Sequence, residues 1–196
     1  MSQVLDELVS LLSMEPIEED LLRGASQDLG FRQMFGGQVL GQSLSAASQT
    51  VGDGRLVHSL HGYFLRPGDA GLPVVYQVER VRDGGSFSTR RVTAIQKGKT
   101  IFTCAASFQG IEEGFHHQAQ MPEVPGPETL RSETVLARLV ADKLPERLRE
   151  RAVHDKPIDI RPVSLNNPFD PKPADPVKHV WFRADGELPD NPALHQ

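Results

Sequence analysis

Two hydrophobic periods run through the first 120 residues. Leu5, Leu8, Leu11 and Leu12 share a helical face and predict a short amphipathic helix at the N-terminus. Residues 36–51 carry Leu40, Leu44, Ala47 and Val51 at i, i+4, i+7 and i+11, beside a stripe of small residues, Gly37, Gly41, Ser45 and Ser48. That combination predicts a buried helix. Its small stripe lets a backbone approach closely, as packing against or inside a sheet requires.

From residue 56 the period changes to two. Residues 56–66 are rich in apolar and aromatic side chains and stop before Pro67-Gly68-Asp69, a turn signal. Residues 74–82 alternate through Val74, Tyr76 and Val78 and end at Asp83-Gly84-Gly85. Residues 86–96 place Phe87, Thr89, Thr93 and Ile95 on one face, then turn at Lys97-Gly98-Lys99. Residues 100–109 separate Phe102, Cys104, Ala106 and Phe108 from Ile101, Thr103, Ala105 and Ser107. The connections after residue 74 are too short for parallel crossovers, so these strands form an antiparallel meander. One buried helix followed by such a sheet is an α+β layout.

Proline marks the organisation of the rest. Residues 1–120 hold three prolines (Pro16, Pro67, Pro73), and residues 121–196 hold the other twelve. Proline removes a backbone donor and fixes φ, so regular structure is restricted there to short pieces. The expected division is a folded domain over 1–120 and a proline-rich linker over 121–196. Within the latter, a charged surface helix is expected from Glu128 to about Arg151, and short strands at Ile158–Val163 and His179–Arg183, on either side of a proline-rich segment at 168–176.

Composition narrows the class. The chain has 196 residues, 21 Lys+Arg against 26 Asp+Glu, and a formal charge of -5 without long runs of one sign. A general nucleic-acid or anionic-membrane binder normally carries a basic surplus, which argues against both partners. A single cysteine, Cys104, permits no internal disulfide and fits a reducing compartment. No apolar run approaches the roughly 18 residues of a spanning helix. The N-terminus lacks a basic and apolar leader, so the expectation is a soluble cytoplasmic protein.

Several chemistries can be tested against the sequence. Gly84-Gly85-Ser86-Phe87-Ser88 lacks the closing glycine of a serine-hydrolase elbow, and Gly36-Gly37 is completed neither as G-x-G-x-x-G nor as G-K-[ST]. His58 and His61, three apart on an extended strand, are expected on opposite faces, which suits no shared metal. The Phe35-Gly36-Gly37-Gln38 start of the buried helix is more informative. Unsatisfied N–H groups there carry partial positive charge and suit a carbonyl oxygen or a developing oxyanion. The plainer alternative is that two glycines let the chain turn under the sheet. Ser59, His61 and Gln109 lie on strands expected to flank this helix. Positions 36–51 contain no Asp or Glu, so a general base has no obvious source there. Cys104 alternates with core phenylalanines and reads as a packing thiol.

Three groups of residues carry a family resemblance. The first is Met14-Glu15-Pro16-Ile17-Glu18-Glu19-Asp20, Gln27-Asp28-Leu29-Gly30 and Phe35-Gly36-Gly37-Gln38-Val39-Leu40-Gly41-Gln42. The second is Val57-His58-Ser59-Leu60-His61-Gly62-Tyr63-Phe64-Leu65-Arg66-Pro67-Gly68 and Asp83-Gly84-Gly85-Ser86-Phe87-Ser88-Thr89-Arg90-Arg91-Val92; the third is Trp181-Phe182-Arg183-Ala184. Together they resemble the N-terminal half and linker of acyl-CoA thioesterase II. The resemblance implies a hotdog fold, a long central helix wrapped by an antiparallel sheet, occurring twice in the whole enzyme. It also implies hydrolysis of fatty acyl-CoA to fatty acid and CoA without metal or prosthetic group, and assembly into homo-oligomers. The family's catalytic Asp, Thr/Ser and Gln belong to the second copy, expected beyond Gln196. Gly36, Gly37, Gln38, Ser59, His61 and Gln109 are the substrate-binding candidates, as degenerate first-copy positions. The expectation is therefore a truncated chain with little hydrolysis of its own, and the alternative is a scaffold or acyl-binding half that pairs with another hotdog in cis or on another chain.

Overall fold

A computed structural model describes residues 2–30, 33–165, 170, 172–191 and 194–195, with backbone alone at 147, 148 and 151. Of the proline-rich segment 168–176, positions 168, 169 and 171 lie outside the described residues. The chain forms two compact units, one of Glu7–Gly114 with Pro189–Gln196, the other of Met1–Asp6 with Phe115–Leu188. The division falls between Gly114 and Phe115, where the sequence expectation placed it after residue 120.

The first unit is built on a six-stranded antiparallel sheet and a central helix, with the last residues of the N-terminal helix beside them. The elements in chain order are α1 (Gln3–Leu12), β1 (Glu15–Glu18), β2 (Leu21–Gly24), α2 (Gly36–Ser48), β3 (Arg55–Phe64), β4 (Val74–Asp83), β5 (Phe87–Gln96) and β6 (Lys99–Gly110). The sheet order is β1-β2-β4-β5-β6-β3. The expected meander is present, with β3 hydrogen-bonded to β6 at one edge. Lys97 (φ 49) and Gly98 (φ 70) form a two-residue turn with both central residues left-handed, the twist that matches a hairpin.

Strands β1 and β2 went unread because four residues carry too little alternation. Glu15, Pro16 and Glu18 make β1 a fully exposed edge, where proline and charge discourage further pairing.

Helix α2 lies across β3–β6, most extensively on β5. Its partners in the core are Val74, Tyr76 and Val78 of β4, Val92 and Ala94 of β5, and Phe102, Cys104, Ala106 and Phe108 of β6. The helix buries Val39, Gln42, Ser43, Ala46 and Ala47 on the sheet. Leu40, on the stripe the spacing favoured, is exposed. The sheet's aromatic rings fill the volume, so the helix meets them with small residues. The small stripe serves α1 instead: a Cβ on Gly41 would lie 3.2 Å from Leu12, and Ser45 Oγ donates to Leu12 O at 2.9 Å.

In the second unit, β7 (Ile158–Pro162) pairs antiparallel with β8 (Val180–Ala184), in register Ile160↔Phe182. The single helix expected over 128–151 is two, α3 (Glu133–Leu139) and α4 (Glu146–Val153), with a 3-10 turn at Ala141–Lys143 between them. Pro145 stands at the N-cap of α4, a position proline tolerates while it cannot continue a preceding helix. Trp181 Nε1 donates to Pro125 O at 3.0 Å and Arg161 Nη1 to Pro127 O at 2.7 Å, tying the Pro-rich stretch to the ribbon. Among the described residues no helix is long and apolar enough to cross a membrane.

Candidate functional site

The start of α2 is bare of side-chain capping. Phe35 holds the N-cap with extended backbone and offers no side-chain acceptor. Its carbonyl receives Gln38 N at 3.0 Å and Val39 N at 3.4 Å. Two rings stand over the glycines. A Cβ on Gly36 would lie 3.1 Å from the Phe64 ring, and one on Gly37 would collide with the Phe35 ring. Glycine here serves close aromatic approach. Both rings are themselves largely exposed.

The six candidate residues divide into two groups. Gly36, Gly37 and Gln38 sit at the helix start, Gly36 half-buried and Gly37 exposed. The Gln38 side chain is buried and engaged, with Nε2 donating to Ala25 O at 3.1 Å and Oε1 accepting from Gln27 N at 3.4 Å. In β3 the inner positions are Val57, Leu60, Gly62 and Phe64, which pair with buried Phe108, Ala106, Cys104 and Phe102. Ser59, His61 and Gln109 occupy the alternate positions and so face away from α2. His61 packs edge-on against Tyr63, with ring centroids 4.8 Å apart, and Gln109 Nε2 donates to Glu112 at 3.3 Å. This unit does not bring the two groups together.

His58 departs from the expected alternation. The register of β3 shifts between Val57 and Ser59, and this bulge turns His58 to the same outer face as His61. There it reaches Ser107 Oγ at 2.9 Å and the Phe87 ring at 5.6 Å. Among the described residues no group of three potential ligands is placed to hold a metal.

Two buried polar networks position α2, and neither was foreseen. Gln42, fully buried, donates from Nε2 to Leu11 O at 2.7 Å and Ala25 O at 2.9 Å, and accepts from Tyr76 Oη at 2.7 Å. Gly24 makes room for it, since a Cβ there would lie 2.8 Å from the Gln42 amide. At the other end of the helix, Arg90 reaches Thr50 and Asp83, and Arg55 reaches Ser88, Gly84 and Gly85. Hydrogen bonds from Ser88 and Arg90 hold the Asp83 carboxyl below the usual carboxylate range. A depressed pKa adds stability at higher pH that is lost as pH falls through the folded value, so this pairing is retained to a lower pH than an isolated aspartate would allow.

A cavity of about 430 Å³ opens beside the helix start, inside the range of roughly 300–1,000 Å³ usual for ligand sites. Its floor is Met34, Val39, Ile101 and Phe102, all buried, with Phe64 and Arg66 at the rim. Cys104 lies deeper in the core, and burial pushes its thiol up to about 11. The native chain is expected to resist thiol reagents at pH 8 and to be labelled once, fast, in denaturant. Rapid labelling of the folded chain would contradict its placement.

Comparison with known proteins follows the same outline. Residues 25–109 match the family described as acyl-CoA thioesterase N-terminal domain. The chain is 47% identical over 189 residues to acyl-CoA thioesterase 2 of Haemophilus influenzae, covering 96% of this chain and 66% of the relative. It is 42% identical over 188 residues to human acyl-coenzyme A thioesterase 8, covering 92% and 59%. The crystal structure of acyl-CoA thioesterase II TesB2 from Mycobacterium marinum superposes with TM-score 0.71 at 40% identity, covering 96% of this chain and 64% of that one. A hot dog protein from Alicyclobacillus acidocaldarius, 22% identical with TM-score 0.73, shares the fold. The chain thus spans 66% and 59% of the lengths of these two curated relatives, less than two thirds of each.

Proposed function

Because this chain belongs to the acyl-CoA thioesterase II family, as a hotdog lobe of it, we propose that it works in the hydrolysis of fatty acyl-CoA to fatty acid and CoA. The observation that carries this reading is the uncapped helix Gly36–Ser48 held against the sheet in a chain 47% identical to an acyl-CoA thioesterase. In such a reaction water adds to the thioester carbonyl and loses a proton to a base. The tetrahedral oxyanion then collapses, the C–S bond breaks, and CoA leaves as the thiolate. The Gly36 and Gly37 N–H groups are the donors we assign to the substrate's carbonyl side. The first turn of α2 holds no acidic residue, so the water-activating carboxylate comes from another lobe. Ser59, His61 and Gln109 act on substrate only where such a lobe closes over the outer face of the sheet. We place the working compartment in the cytoplasm, on the ground that the single cysteine is a free, buried thiol.

The test follows thiol release from decanoyl-CoA, with the chain alone and with the chain co-expressed with the part of the Haemophilus relative it does not match. A positioned base is typically worth about 10²–10⁴-fold, so the second lobe is expected to raise turnover by at least about 10²-fold. Turnover by the chain alone at roughly 1 s⁻¹ or faster, an ordinary enzyme rate, would remove the need for a second lobe. No turnover in either preparation would sink the thioesterase reading itself.

A second reading, an assembling half, is favoured by β3. This ten-residue strand stands last in the sheet, with no further strand beside it among the described residues, and exposes Leu56, Tyr63 and Phe64, the kind of edge that recruits another strand. If a second copy covers it, the melting temperature rises with protein concentration. A concentration-independent melt of a monomer would exclude self-pairing.

A further inference from the structure

Gln96 ends β5 on the strand's inner face, a polar side chain only 7% exposed. Its amide is spent on the loop that joins β3 to β4. Oε1 accepts from Asp69 N at 2.8 Å. Nε2 donates to Asp69 O at 3.0 Å, to Leu72 O at 2.9 Å and to Pro73 O at 3.4 Å. Four backbone groups of one short loop thus converge on a single side chain, a service that no apolar residue could perform. Lys97, next in the turn, adds an ion pair to Asp69 at 3.2 Å, but both partners are exposed and such pairs hold little. The grip is the amide's.

The same loop meets the entry to α2. Gly68 O accepts from Met34 N at 2.9 Å, and Gln33 forms a β-bridge with Asp69 across the same two segments. A Cβ on Gly68 would lie 3.1 Å from Met34 Cβ and from Ile101 Cδ1, so the loop and the entry touch directly. Phe35, the residue after Met34, is the uncapped N-cap, and Gly36 opens the helix. Peptide units are planar, so few dihedrals separate the Met34–Gly68 bond from the Gly36 N–H. Gln96 itself does not line the cavity at the helix start.

We propose that Gln96 is a positioning residue for the helix-start donors. It fixes the Gly68–Pro73 loop and, through Gly68 O and Met34 N, the direction in which the Gly36 and Gly37 N–H groups point. It does so without touching substrate. The kinetic consequence rests on the thioesterase reading, because it is the thioester carbonyl that those donors are assigned to meet.

Gln96→Met keeps most of the volume and removes all four bonds. Amide spectra of the 196-residue chain are expected to show Gly36 and Gly37 displaced in Q96M, with Gly84 and Gly85, at the other end of α2, in place. In the co-expressed two-lobe preparation, kcat on decanoyl-CoA is expected to fall by about 10-fold to 10²-fold at unchanged KM, the pattern of a misplaced transition-state donor. A side chain that only stabilised the fold would lower the melting temperature and leave both readouts where they were. Unmoved Gly36 and Gly37 in a folded Q96M, or a raised KM at wild-type kcat, would overturn the assignment. Wild type supplies the test should Q96M not fold. The Met34 and Asp69 amides, bonded to Gly68 O and to Gln96, are expected to exchange with solvent in one shared opening, with protection within about tenfold of each other. A larger difference would show that the loop does not hold the helix entry. Restored hydrolysis with unmoved amides removes the positioning role alone. Displaced amides without hydrolysis in either wild-type preparation remove the thioesterase reading and leave the mechanical link standing.

Discussion

Arg90→Met is expected to lower the melting temperature by roughly 10 °C, from a loss of about 3–5 kcal/mol on breaking a buried charged network at about 2–4 °C per kcal/mol for a chain of this size. The Arg90 side chain is 1% exposed, and each of its five N–H groups has an acceptor. Nε donates to Thr50 Oγ1 at 2.7 Å, and Nη1 to Arg82 O at 3.1 Å and Thr89 O at 3.0 Å. Nη2 donates to Thr50 O at 2.8 Å and to Asp83 Oδ1 at 2.7 Å. Methionine fills similar space and removes the donor to each of those acceptors, of which Asp83 Oδ1 keeps its bond from Ser88 Oγ. Asp83 is half exposed and can find water, so the cost falls mainly on the carbonyls. Lysine cannot substitute, because a compact ammonium does not span acceptors on three segments. Circular-dichroism melts of wild type, R90M and R90K check this. A shift under 2 °C for R90M would show that the network is dispensable, counter to the expected loss.

Gln42→Leu is the next largest effect. The side chain is fully buried, and leucine removes donors to Leu11 O and the acceptor for Tyr76 Oη while keeping most of the volume. Ala25 O keeps its bond from Gln38 Nε2. Two groups are then left buried without partners, at about 1–3 kcal/mol each, for a total of about 2–4 kcal/mol after relaxation. Tyr76→Phe alone should cost less, since it leaves only the Gln42 oxygen unmatched. The double variant should cost less than the sum, with a coupling of roughly 0.5–3 kcal/mol. Urea unfolding of the four chains measures that cycle, and strict additivity would show that the two side chains do not act together. Burial also raises the Tyr76 phenol well above its ordinary value, so this network stays intact through the alkaline range in which exposed tyrosines ionise.

Both networks explain why parts of the sheet misled a reading by periodicity. Strand β5 reads as a strand with Phe87, Thr89, Thr93 and Ile95 on one face. The buried face is the other one, Ser88, Arg90, Val92, Ala94 and Gln96. Three of those five are polar, which alternation alone would put in water. They are buried because the ends of α2 and of the hairpins meet there and need hydrogen-bond partners. Likewise Leu40 looks like a core residue and is exposed, while Gln42 looks like a surface residue and is sealed. The candidate site suffers from the same cause. Ser59, His61 and Gln109 were placed beside the helix by their position in sequence, and the β3–β6 register turns all three outward.

What the residues fixed by themselves were the properties set by local chemistry. Alternation through Val74, Tyr76 and Val78, a Lys97-Gly98 turn that needs left-handed backbone, and the helical spacing of Leu40, Leu44, Ala47 and Val51 were enough for the helix and the four long strands. The motifs around Gly36-Gly37 and His58–Gly68 were enough for the family. What only tertiary packing decided is which side of each element is inside. A one-residue bulge at His58 reverses a face, a strand 34 residues further along the chain supplies Tyr76 to Gln42, and the sum of apolar area over the whole sheet determines where small or polar residues can be buried at a profit in hydrogen bonds. Those are non-local quantities, and no window of sequence contains them.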